Sequence, residues 1–188
     1  MKIPVIQHQL LNEKRSVTYS ILFKVWLLVA VYAVLHDQYI VRIAPEHFTI
    51  YHDPLLGIEH PATLAAVYAF GASFSPGLLL GFSCAVFARG GSLPKLSVKC
   101  ILIGVIAVII LTELSAAFSG FIVYKSGSVI YPESWYPSHS LRMMVTQTIQ
   151  VTCYIAAAVL SVILLVTLLA IRYKNKPNKA VLTTVNRS

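Results

Sequence analysis

Residues 97–124, SVKCILIGVIAVIILTELSAAFSGFIVY, decide the fold. Lys99 near one end and Glu113 in the middle are the charges of an otherwise apolar run. A spanning helix needs roughly 20 mainly apolar residues, and this segment supplies them with length to spare. Three more stretches qualify on the same rule, at about residues 17–35, 63–88 and 145–173. The chain of 188 residues is 57% hydrophobic and 12% charged, whereas an ordinary soluble domain is about 25% charged. A water-soluble fold of this size could not hide so much apolar surface, so the bilayer is the expected solvent. The reading is an all-α integral membrane protein, a four-transmembrane-helix bundle forming one membrane domain over 1–188.

The basic residues orient it. Lys2, Lys14 and Arg15 precede the first span; Arg89, Lys95 and Lys99 mark the short second loop; Arg172, Lys174, Lys176, Lys179 and Arg187 end the chain. The other two loops carry only Arg42, Lys125 and Arg142, beside Asp37, Glu46, Asp53, Glu59 and Glu133. Lys/Arg asymmetry therefore predicts cytoplasmic N and C termini, and a bacterial inner membrane is the expected location. The net charge of +8 is accounted for by topology and anionic lipid, which removes the argument for nucleic acid as a partner. A basic segment before an apolar run also resembles a signal peptide. Lys24 interrupts the run, however, and no small-x-small site precedes His36, so the segment is read as a retained span. Cys84, Cys100 and Cys153 form no CxxC and fall inside spans, where they act as small hydrophobes.

Two outer loops, at about 36–62 and 125–144, are expected to build a small, partly β extracytoplasmic cap. Alternation from His47 to Tyr51 suggests a strand, and FIVYKSGSVIY suggests a hairpin turning at Ser-Gly. The polar, basic segment 174–188 reads as a flexible tail.

Two groups of residues could carry chemistry. Glu113 falls roughly 15 Å below the outer end of its helix, where a carboxylate is expensive and should face the bundle. Ala116, Ala117 and Gly120 share its face, while Ile106, Ile110, Leu114 and Phe121 are bulky enough for lipid. Ser73, Tyr154 and Gln150 on neighbouring spans are its expected polar partners, with Ser73 and Tyr154 the nearest in depth. The pattern fits either proton coupling or a protonated Glu113 that ties helices together. The second group is histidine. His47, His52, His60 and His139 lie on the outer side and could converge on copper, zinc or haem. Against this, no HxH or HxxxH occurs, and solvated or locally hydrogen-bonded loop histidines explain the set better; no cofactor is the leading expectation.

Gly77 and Gly81 form a GxxxG beside Pro76, and with Gly120 they are candidates for close helix packing; a homodimer seam is the alternative. There is no GxSxG, P-loop, HExxH or GxGxxG. The expectation is therefore a non-enzymatic accessory subunit or scaffold that docks a protein partner through its outer loops. An outer metal or haem site, and a small oligomeric, proton-coupled transporter using Glu113, are the alternatives.

Overall fold

The computed structural model describes residues 13–176 apart from Pro54. Four long helices run through it: α1 (Arg15–Ile43), α3 (Pro61–Arg89), α4 (Val98–Ser126) and α5 (Leu141–Lys174). All four are long and apolar enough to cross a membrane. A one-turn helix α2 (Glu46–Thr49) and a 3-10 turn (Glu133–Trp135) sit in the two longer connections. Three of the four long helices start at a capping side chain. His60, Ser97 and Ser140 accept hydrogen bonds from the first turns of α3, α4 and α5. Pro61 stands in the first turn of α3, where its missing N–H costs nothing.

α1 packs most extensively on α3, and α4 on α5; the seam between α1 and α4 is much thinner. Glycine makes both tight pairings. A Cβ on Gly77 would stand 3.0 Å from Trp26 Cδ1 and 3.1 Å from Trp26 Cα; one on Gly81 would stand 3.0 Å from Leu22 Cα. The GxxxG of α3 thus meets the backbone of α1 in the same chain. On α4, Gly104 faces Leu164 and Gly120 faces Ile149 of α5.

At one end, called here the Arg89 end, polar groups tie three segments together. Arg172 is 2% exposed. Its guanidinium donates to Phe87 O at 2.7 Å, Pro94 O at 2.9 Å and Leu93 O at 3.0 Å, and also to Gly90 O. The Phe87 carbonyl in the last turn of α3, which no helix turn can satisfy, and three carbonyls just beyond the helix thereby gain a cationic donor. Beside it, Glu13 accepts from Arg89 Nε at 2.7 Å and lies 3.1 Å from Lys95 Nζ. The Arg89 hydrogen bond is the main reason that the Glu13 carboxyl is held down to about 2.

Three sequence expectations are corrected. The first outer loop does not begin at His36: α1 continues to Ile43, because His36, Ile40 and Val41 turn inward at helical spacing and Pro45 is the first breaker. The strand expected at His47–Tyr51 is the α2 turn, which buries His47 and Phe48. The Ser-Gly of the expected hairpin is instead the end of α4, with Gly127 in the left-handed conformation at φ 65. No strand occurs among the described residues, so the cap is not β. α5 runs on through Lys174, and the flexible tail expected from there lies, beyond Lys176, outside the described residues.

Candidate intramembrane polar site

Glu113 sits midway along α4 and meets α1, not α3 or α5. Tyr32 and His36 are one helical turn apart on α1, so their side chains share a face. Tyr32 Oη donates to Glu113 Oε2 at 2.9 Å, and His36 Nδ1 lies 2.7 Å from that same oxygen. The Tyr32 proton being committed to Glu113, the Cys153 thiol 3.3 Å away is the donor to Tyr32 Oη. One carboxylate oxygen thus joins α1 to α4, and the tyrosine continues the chain of bonds to α5.

The His36 side chain is 4% exposed and that of Glu113 34%. The carboxyl opens into a cleft of about 410 Å³ between α1 and α4, bounded by Leu35, Tyr39, Ile110 and Leu114. His36 Nε2 is sealed from solvent without a hydrogen-bond partner among the described residues, and the Tyr39 hydroxyl is buried beside Glu113. Buried polar groups in native proteins are nearly always paired, so the imidazole nitrogen beside this carboxyl is open to a further partner. Chemically, a carboxyl oxygen and an imidazole nitrogen at 2.7 Å share one proton, carried by either group according to the tautomer. The spare imidazole nitrogen offers a second position, on a ring whose centroid is 5.2 Å from that of Tyr39.

The residues expected around Glu113 lie elsewhere. Ser73 is buried, and its hydroxyl donates to Phe70 O at 2.7 Å. Gln150 Nε2 donates to Asp37 Oδ1 at 3.2 Å. Tyr154 lines an apolar cavity of about 440 Å³ among all four long helices, with Thr112 and Pro76. It also lines a pocket of about 420 Å³ with His47, His52 and Gln150. Of the helix neighbours of Glu113, Ala116 and Gly120 are buried and Ala117 is exposed; Ile106, Ile110, Leu114 and Phe121 face outward.

The four histidines do not gather. The His47 and His52 rings touch, with centroids 4.8 Å apart, and His52 Nδ1 donates to His47 O at 2.6 Å. Burial, and secondarily the charge of His52, holds the His47 imidazole down to about 4. His60 caps α3 through Thr63 N, and His139 is exposed just before α5. Among the described residues no group of three or more His, Cys, Asp or Glu side chains is placed to hold a metal ion.

Sequence reasoning places His36 at the outer end of its helix and does not single out Tyr32. The signal that could have found them is their spacing, i and i+4, on a span that runs further than its apolar stretch. No family model, curated protein or solved structure matches this chain.

Proposed function

We propose that this multi-pass membrane protein carries a membrane-embedded proton-binding site and serves as a small proton-coupled component. The carrying observation is the 2.7 Å contact between His36 Nδ1 and Glu113 Oε2 inside apolar helices. Ionisable groups within spanning segments are costly and mark proton or ion pathways when they occur. The unpartnered His36 Nε2 and the side opening of the Glu113 cleft support the same reading. In this reading the Arg89 end, with both chain ends, faces the cytoplasm of a bacterial inner membrane. Four helices are few for a carrier, so a working unit would be an oligomer or would include a partner subunit. The test is infrared difference spectroscopy of the chain in lipid, between about pH 5 and pH 8. A protonated-carboxyl band that titrates in the native chain and is absent in Glu113→Gln supports the proposal. Identical spectra for the two proteins would end it.

A second reading, a scaffold that docks a partner through its outer loops, has one observation of its own. Leu56 is 85% exposed at a positive φ of 54, Ile50 is 70% exposed, and Trp135 is 49% exposed. A leucine held out in the left-handed region is unusual enough to suggest a use. Retention of a partner in mild-detergent pulldowns by the native chain and not by Leu56→Asp/Trp135→Ala would favour it.

A further inference from the structure

Arg42, Lys125 and Arg142 are the exceptions in the charge count: the Lys/Arg residues of the two loops assigned to the outside. They belong to three different helices, α1, α4 and α5. Two of them meet at one cleft of about 630 Å³, the walls of which include Ala117, Gly120, Val145 and Ile149, and the third stands by two rings of its wall. Arg42 and Arg142 line it directly. Lys125 Nζ stands 5.6 Å from the Phe121 ring and 5.8 Å from the Tyr124 ring, both of which also line the cleft. Among the described residues no carboxylate lines it, and neither arginine makes a hydrogen bond or ion pair.

Cations at and beside a cleft that no carboxylate lines favour an anion at its mouth. Two guanidiniums present paired N–H donors in the geometry that phosphate oxygens accept. The rest of the cleft is apolar and runs down the α1–α4 seam to Tyr39, which also lines the Glu113 cleft. A free phosphate would use only the mouth. A molecule that uses the whole cleft carries its anionic group at the mouth and a hydrocarbon chain below it. A bilayer supplies that chemistry at the headgroup level of such helices.

We propose that this cleft binds one acidic phospholipid, its phosphate held by Arg42, Lys125 and Arg142 and an acyl chain lying along Ala117, Phe121 and Val145. The site does not depend on the protonation of Glu113. Its occupancy would decide which surface of the α1–α4 seam remains open to the membrane.

The experiment is native mass spectrometry of the full chain released from nanodiscs of equal parts phosphatidylglycerol and phosphatidylcholine. Retention of one phosphatidylglycerol per chain is expected. Arg42→Gln/Arg142→Gln should weaken it about thirtyfold, from the worth of two basic residues near an anionic surface. Arg42→Lys/Arg142→Lys should keep much of it. Ala117→Phe fills the cleft from an exposed position and should abolish retention while leaving all cations in place. Unchanged helical circular dichroism would certify that each variant folds. Equal retention of the two lipids, or retention that survives Ala117→Phe, would overturn the proposal. So would displacement of the lipid by millimolar inorganic phosphate alone, which would identify a site for the free ion.

Discussion

Tyr32 and His36, one turn apart on α1, both address the same oxygen of Glu113, at 2.9 and 2.7 Å. Two hydrogen-bonding partners on one oxygen make that oxygen the point where α1 and α4 are joined. The rest of their seam is thin, so changes at this oxygen should be felt in both proton binding and stability.

Glu113→Gln keeps an oxygen for Tyr32 and a polar neighbour for His36, whereas Glu113→Leu strands both. The expected order is a small loss for glutamine and a loss of about 1–3 kcal/mol for leucine, the usual cost of an unsatisfied buried polar group. Unfolding midpoints in a single detergent would check it. Equal losses for the two variants would mean that volume, not hydrogen bonding, matters at this position.

Arg172→Ala should be among the most damaging single changes. It leaves the carbonyls of Phe87, Leu93 and Pro94 without their donor, at a cost of about 3 kcal/mol or more. Arg172→Lys should recover only part, since an ammonium cannot span the fan of oxygens that a guanidinium reaches. Thermal unfolding of the two variants side by side is the measurement.

Gly77→Ala should cost about 1–3 kcal/mol, because the new methyl group meets the Trp26 backbone as well as its ring. Its mass in mild detergent should not change, since this surface is spent on α1 within the chain. A loss of oligomer with stability intact would show that Gly77 faces a second copy.

Stability should fall with acid in two separable stages. The folded His47 titrates near 4 against an ordinary 6.5, so the unfolded chain takes up its proton first. The contribution of His47 is therefore complete above about 6.5 and is lost as pH falls toward 4. Glu13 titrates near 2 against an ordinary 4.5; its contribution is complete above about 4.5 and is lost as pH falls toward 2. His47→Asn should flatten the upper stage and Glu13→Gln the lower, read from denaturant midpoints across pH.

The spans were legible because bilayer thickness imposes a length that shows in composition, and the GxxxG was legible because only glycine permits two helix backbones to touch. The ends of helices were not. His36 and Asp37 look like the start of a loop by polarity, yet the helix continues for two more turns, because Ile40 and Val41 still have a face to bury. Ser-Gly at 126 and 127 suits a hairpin turn and a helix terminus equally well, and the difference lies in whether a second strand pairs back beyond Gly127. The site was half legible. Glu113 announced itself by its cost in an apolar run, but its partners lie 77 and 81 residues away in the chain, and no local pattern names them. Arg172 read as one topogenic charge among many, since carbonyl ligands carry no side-chain signature.

The Arg172 fan also bears on how the bundle is made. The carbonyls of Phe87, Gly90, Leu93 and Pro94 emerge from the ribosome roughly eighty residues before the arginine that they bind. Until α5 has been synthesised and has crossed, the loop between α3 and α4 must stay hydrated and accessible. The three earlier helices can be inserted, but the Arg89 end cannot close. A released chain truncated after residue 171 should therefore show this loop cut by protease, and the full chain, which carries Arg172, should protect it. The last helix works as the bolt of the assembly, thrown only after the other parts are in place.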